Sequence, residues 1–259
     1  MSVPPGFQTA IAVLKAGRAA FVGGVGIDLP TGRSALLRGD DLTPQFGYIG
    51  SRYKETGLLL LGTNPRNSKK MEVRTAADER MMPALIQFAS APSADNFIKA
   101  HAAYQAECET WHVWRRHCAE VIGTGKLSLD QVAYSNCLPW RTGSESTFDY
   151  ALAARAAMLY ALPLIAELKP RLVVAMGKRG AEVLRAGGGP LPKVIVWNRA
   201  QAATKAVIQE RSSAAAKIFE ALNVGESNLS GTNQSCLNYS ALGFLGIDPL
   251  DRRCSTLAL

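Results

Sequence analysis

The sequence predicts an α/β fold with three layers, in which helices cover both sides of a central, mainly parallel sheet of four strands. Two observations predict it. Short apolar runs that suit buried strands alternate along the chain with segments of helical periodicity. Each run ends directly in loop-forming or capping residues, as strands that lead into helices do. Between residues 58 and 197 we therefore expect a doubly wound domain with a ligand cleft at the carboxyl ends of its strands.

The predicted elements follow one another in a regular order. Residues 8–22 have the apolar spacing of an amphipathic helix. Four apolar runs predict the strands, at residues 58–62, 132–137, 171–176 and 193–197. Further helices are expected at residues 75–120, 148–168, 178–186 and 200–222. Pro83 and Pro92 are expected to break the 75–120 region into two or three helices.

The composition is that of an ordinary globular protein, because 47% of the residues are hydrophobic and 19% are charged. No apolar run approaches the roughly 20 residues that span a bilayer, and residues 1–6 lack the features of a signal peptide. We expect a soluble, cytoplasmic monomer with no membrane partner. Residues 1–222 are expected to form one domain, and the polar residues 223–259 a loosely ordered tail.

The chain is basic, with a net charge of +8 and an isoelectric point near 9.4. Such a balance favours a polyanionic partner, although a solvated basic surface is the alternative interpretation. The five cysteines show no C-x-x-C spacing, so we expect reduced, mostly buried thiols and no metal site. Those cysteines are Cys108, Cys118, Cys137, Cys236 and Cys254.

Motifs at the predicted strand ends resemble those of the uracil-DNA glycosylase superfamily. The segment Leu60-Leu61-Gly62-Thr63-Asn64-Pro65 is similar to the first motif, a buried strand that runs into Gly-x-Asn/Asp-Pro. The mismatch-specific branch of the superfamily has Asn there. Tyr134-Ser135-Asn136 is similar to the strand whose terminal Asn binds the pyrimidine edge, and residues 169–177 resemble the strand before the last crossover helix. The resemblance covers about residues 45–210 and implies a uracil-DNA glycosylase-like fold.

The resemblance implies a monofunctional DNA glycosylase, which flips a damaged base out of DNA and hydrolyses its bond to the sugar. Uracil is the expected base, and the expected partner is damaged DNA, single- or double-stranded. No cofactor is expected. Three alternatives stay open: a related enzyme for another lesion, such as hypoxanthine or an alkylated purine; a catalytically inactive DNA-binding member; and a metabolic α/β enzyme that acts on nucleotides or nucleosides.

Asn64 and Asn136 are the main candidate site residues. The amide oxygen of Asn64 could orient water towards the anomeric carbon without acting as a nucleophile. A turn or helix-capping role beside Pro65 is the alternative for Asn64. The amide of Asn136 offers one acceptor and two donors, which can pair with N3–H and O4 of uracil together, whereas cytosine presents the opposite pattern. Asn136 could instead satisfy loop backbone groups.

The second motif of the superfamily departs from its usual form. Most branches carry His-Pro-Ser and the mismatch-specific branch Asn-Pro-Ser, but this chain has Trp197-Asn198-Arg199-Ala200-Gln201. Asn198 matches the first residue of the mismatch-specific form, so we expect it to be catalytic. The donor to the negative charge on the departing base is then Asn198, Arg199 or a backbone N–H group.

The resemblance also suggests further contacts with the nucleotide. Thr63 and Arg66 are expected beside the base. Arg66 stands where one branch has a Tyr that excludes thymine, and it could instead hold a phosphate. Met71 is the candidate for stacking on the base, since the next Phe after the first motif is Phe88. Basic residues near the strand ends are expected to contact DNA phosphates. They are Lys69, Lys70, Arg141 and Arg199.

Overall fold

The computed structural model describes residues 3–17, 43–65, 76–108, 110–111, 114–140, 150–200 and 204–223. All of them belong to the first of two units into which the chain divides, Met1–Val224. The predicted tail begins at residue 223, and its residues from 224 onwards lie outside the described part. None of the described helices is long and apolar enough to cross a membrane.

The described residues form an α/β structure around one mixed sheet of five strands. The strands are β1 (Tyr48–Ile49), β2 (Leu58–Gly62), β3 (Val132–Asn136), β4 (Leu172–Met176) and β5 (Lys193–Trp197). Their order across the sheet is β1-β3-β2-β4-β5. The last four strands pair in parallel, and β1 pairs with β3 in the antiparallel direction.

The four predicted strands are confirmed, but the prediction of a four-stranded sheet is wrong because β1 adds an antiparallel edge. β1 has only two residues, which is too short to show a periodic pattern in the sequence. It is instead defined by its pairing, in which Tyr48 lies opposite Tyr134 and Ile49 opposite Ala133. β2 and β5 have the predicted bounds, while β3 ends one residue earlier and β4 begins one residue later than predicted.

Most helices lie in the predicted segments, but α2 (Tyr53–Thr56) was not predicted and α5 (Ala119–Thr124) extends beyond residue 120. The helices are α1 (Phe7–Ala16), α2 (Tyr53–Thr56), α3 (Ala76–Ser90), α4 (Ala94–Cys108), α5 (Ala119–Thr124), α6 (Tyr150–Ala156), α7 (Leu162–Leu168), α8 (Lys178–Ala186) and α9 (Lys205–Asn223). Two π-helical turns, Trp114–Cys118 and Ala157–Ala161, interrupt helical regions, so the predicted helix 148–168 is not a continuous α-helix. A 3₁₀ turn, Leu129–Gln131, precedes β3.

Pro83 does not break a helix, which corrects the prediction, whereas Pro92 does separate α3 from α4. Pro83 has no N–H group for the carbonyl of Glu79, four residues earlier. Both Pro83 and Glu79 are exposed, so water can reach that carbonyl and the helix continues.

Helices contact both faces of the sheet. On one face, the ring of Tyr134 in β3 stacks on Tyr104 of α4 and meets Trp114 edge-on. On the other face, the hydroxyl of Ser135 hydrogen-bonds the hydroxyl of Tyr160, at 2.8 Å, and donates to the carbonyl of Phe46, at 2.9 Å. The strand residues of β2, β3 and β4 between these layers are buried. Burial on both faces explains why these strands are continuous apolar runs in the sequence.

The strand order creates a switch point beside β2. From β2 the chain passes to β3 on one side of it and then returns to β4 on the other side. In parallel α/β sheets the connections diverge at such a point and leave a crevice outside the carboxyl ends of the strands. The residues that follow β2, β3, β4 and β5 are therefore the ones that the fold can present to a ligand.

Candidate functional site

The loops after β2 and β3 are held side by side at the carboxyl edge of the sheet. Cys137 N donates to Gly62 O at 2.8 Å, and Leu138 N donates to Thr63 O at 3.0 Å. These bonds continue the parallel pairing of the two strands, in which Gly62 lies opposite Asn136. The first motif and the strand-terminal asparagine are thus brought together.

Asn136 is buried against the backbone of Gly62. Its side chain is 2% exposed, and its amide nitrogen donates to the hydroxyl of Tyr104 at 3.4 Å. A Cβ atom at position 62 would lie 2.3 Å from the Asn136 Oδ1 atom and 3.2 Å from the Tyr134 hydroxyl oxygen. Only glycine at position 62 leaves room for the amide of Asn136 in this orientation.

Thr63 and Asn64 continue the chain beyond the carboxyl end of β2. Thr63 is 2% exposed, and its hydroxyl oxygen has no hydrogen-bond partner among the described residues. Asn64 is half-buried, and its amide nitrogen donates to the carbonyl of Pro65 at 3.3 Å. This bond to the next residue is the turn contact that the alternative interpretation of Asn64 expects. It also fixes the amide of Asn64 at the strand end.

Aromatic rings line the sheet beneath Asn136. Tyr134 stacks on Tyr48 as well as on Tyr104, with ring centroids 6.5 Å and 6.3 Å apart. Trp114 meets both Tyr48 and Tyr134 edge-on. Burial raises the pKa of Tyr48 and of Tyr134, so both phenols stay neutral near pH 7. This cluster was not predicted from the sequence, although the two-residue spacing of Tyr134 and Asn136 places both side chains on one face of β3.

Arg199 reaches across the end of β4 from the segment that follows β5. Its Nε atom lies 3.1 Å from the position that a Cβ on Gly177 would occupy, and Gly177 has a φ of +107°. Gly177 also precedes α8, so the guanidinium lies at the amino end of that helix. The positive charge of Arg199 opposes the larger effect of burial, which raises the pKa of Tyr134 and of Cys118.

Asn198 follows β5 and does not lie with Asn64 and Asn136 at the ends of β2 and β3. Its amide nitrogen donates to Glu210 Oε2 at 2.5 Å, and its carbonyl accepts a bond from the Arg211 side chain at 2.9 Å. It lines an open groove of about 700 Å³ between β5, α8 and α9. Neither Asn64 nor Asn136 lines this groove.

Five of the predicted site residues lie outside the part of the chain that the structure describes. They are Arg66, Lys69, Lys70, Met71 and Arg141, and their contacts with a base or phosphate stay predictions.

Cys108, Cys118 and Cys137 are buried free thiols, as expected. In the part of the chain that the structure describes, no group of three or more His, Cys, Asp or Glu residues lies close enough to hold a metal ion.

The sequence matches no protein-family model, and no curated protein is similar to it.

Proposed function

We propose that the protein is a monofunctional DNA glycosylase that flips a damaged base, uracil in the first instance, into the cleft and hydrolyses its bond to the sugar. The motifs of β2 and β3 resemble those of the uracil-DNA glycosylase superfamily, and we assume the three-layer α/β/α arrangement of that superfamily. The protein would act on DNA as a cytoplasmic monomer without a cofactor.

One observation carries the proposal, namely that the two asparagines of the resemblance share one edge of the sheet. Asn64 follows β2 and Asn136 ends β3, and main-chain bonds between Gly62 and Cys137 and between Thr63 and Leu138 join their loops. Both lie beside the switch point, where this class of fold binds ligands. The sequence motifs are more than 70 positions apart, so their meeting does not follow from proximity along the chain.

The chemistry requires one group that orients water and one that holds the base. The amide oxygen of Asn64 would orient a water molecule towards C1′ of the sugar as the bond to the base breaks. Asn is a weaker base than Asp, so turnover is expected to be slow. The buried amide of Asn136 would pair with the edge of the base, and its hydrogen bond to the Tyr104 hydroxyl would hold the amide in that orientation.

The proposed DNA partner is supported by the net charge of the protein and by basic residues near the carboxyl ends of the strands. The net charge of +8 favours a polyanion. Arg199 and Lys178 lie at the amino end of α8, where the helix dipole also favours an anion such as a DNA phosphate. Lys69, Lys70 and Arg141 are the further phosphate contacts of the proposal.

The test is incubation of the pure protein with a panel of oligonucleotides that each contain one lesion, single-stranded or paired with each opposing base. The panel includes uracil, hypoxanthine and an alkylated purine, and alkali then cleaves the strand wherever a base has been lost. We expect cleavage at uracil. Cleavage at hypoxanthine alone would support the alternative of another lesion, and binding without any base loss would support an inactive DNA-binding protein.

A further inference from the structure

Asn198 and Arg199 of the second motif lie in different places, and this separates their roles. Asn198 is engaged by Glu210 and lies in the groove between β5, α8 and α9. Trp197, one residue earlier, pairs with Met176 and is buried. Arg199, one residue later, turns over Gly177 towards the neighbouring strands.

The strand order places the Arg199 guanidinium near the end of β2. Its Nε atom lies beside Gly177 at the end of β4, and its positive charge opposes the larger effect of burial, which raises the pKa of Tyr134 in β3. β2 lies between β3 and β4 in the sheet. Gly177 follows β4, the strand next to β2, and neighbouring strands are only about 4.8 Å apart, so the guanidinium beside Gly177 lies close to the end of β2. The Tyr134 hydroxyl oxygen lies at the same end, 3.2 Å from a Cβ atom placed on Gly62, where Gly62 and Asn136 meet.

From this geometry we infer that Arg199, rather than Asn198, stabilises the negative charge on the departing base. The inference rests on the proposed function, which it makes specific. It also chooses among the three donors that the sequence leaves open.

The reaction explains why a guanidinium suits this position. The bond between C1′ of the sugar and the base nitrogen breaks, and its electron pair leaves with the base. The oxygen of water bonds to C1′, one of its protons is released to solvent, and the base anion takes up a proton from solvent. Until then the negative charge is spread over the base nitrogen and carbonyl oxygens. Arg stays protonated and donates from a planar fork, so it can stabilise that charge at any pH near neutrality.

The test compares two leaving groups in the same single-stranded oligonucleotide, uracil and 5-fluorouracil, under single-turnover conditions. Fluorine withdraws electrons, so the 5-fluorouracil anion needs less stabilisation by the protein. Arg199→Gln is expected to slow uracil release by about 10²–10³-fold, the loss typical of one missing donor to an anion, and to slow 5-fluorouracil release by less. Arg199→Lys, which keeps the charge, should recover part of the loss.

Two further variants make the comparison specific. Arg185→Gln makes the same chemical change at an exposed residue of α8 and is expected to release both bases at the wild-type rate. Asn198→Ala is expected to slow both bases equally, if at all. Urea denaturation of each variant shows whether it is folded.

The outcomes separate this inference from the proposed function. An equal loss for both bases in Arg199→Gln would overturn the inference, as would a base-dependent loss in Asn198→Ala, while release of uracil by the wild type would still support the proposed function. If the wild type releases neither base nor any other of the lesion panel, the proposed function is wrong and the role of Arg199 falls with it.

Discussion

Replacing Gly62 by alanine adds one methyl group at the point where the two motifs meet. The new carbon would lie 2.3 Å from Asn136 Oδ1 and 3.2 Å from the Tyr134 hydroxyl oxygen. Side-chain carbons essentially never lie within 3.0 Å of such a neighbour, so the Asn136 amide must move by roughly 0.7 Å or more. The Tyr134 hydroxyl blocks part of the space into which it can move.

The displacement is large enough to matter for catalysis and small enough for the protein to fold. A shift of about 1 Å in a positioning group can reduce an enzymatic rate by roughly 10²-fold. Overpacking of one methyl group in a core costs about 1–3 kcal/mol of unfolding free energy. We therefore expect Gly62→Ala to remain folded at room temperature and to release uracil about 10²-fold more slowly than the wild type.

The assay is single-turnover release of uracil, with urea denaturation of each protein to measure its stability. Gly123→Ala is the matched control, because a Cβ atom at position 123 meets no atom of the described residues within 4 Å. Gly123 lies in α5, where alanine is the better helix former, so this variant should be as active as the wild type and slightly more stable. A Gly62→Ala protein that releases uracil at the wild-type rate would refute the role of Asn136 in holding the base.

Two other predictions concern the remaining parts of the proposed site. Asn64→Ala should remove most base release and leave DNA affinity within about threefold, because it removes only a water-orienting group. Asn64→Asp should retain base release. Unchanged single-turnover kinetics in Asn64→Ala would contradict the proposal. Affinity for undamaged DNA should fall steeply with salt, and the Lys69→Ala, Lys70→Ala double variant should have a slope that is shallower by about 0.7–0.9 for each phosphate that the variant no longer binds. Titrations at several salt concentrations measure that slope, and binding that is insensitive to salt would contradict it.

The buried parallel strands could be predicted from the sequence because their apolar runs are continuous and end abruptly. β2 is four leucines and a glycine, and every one of these residues is buried. β1 could not be predicted, since a two-residue strand is defined by its partner β3 rather than by any pattern of its own. The position of Pro83 inside α3 could not be predicted either. A proline is tolerated there because it is exposed, and its exposure depends on the tertiary structure.

The candidate site shows the same division between local and tertiary information. Asn64 and Asn136 could be proposed from the sequence because they lie at the ends of apolar strands, in motifs that resemble those of a known superfamily. The different positions of the Asn198 and Arg199 side chains could not be predicted, since they depend on Glu210 of α9 and on the space beside Gly177. The aromatic cluster around Tyr134 contains residues of β1, α4 and the Trp114 turn, which only the tertiary fold brings together with β3.

The central claim is that Asn136 holds the excised base, and the ratio of uracil to cytosine release tests it most directly. Asn136→Asp replaces the amide donor by an ionised carboxylate, which faces O4 of uracil with negative charge and accepts from the amino group of cytosine. Loss of one buried partner costs about 1–3 kcal/mol, or roughly ten- to a hundredfold in rate. On matched single-stranded oligonucleotides, the wild type should release uracil in preference to cytosine, and Asn136→Asp should lower that ratio by at least about tenfold. The same ratio in both proteins would contradict the claim.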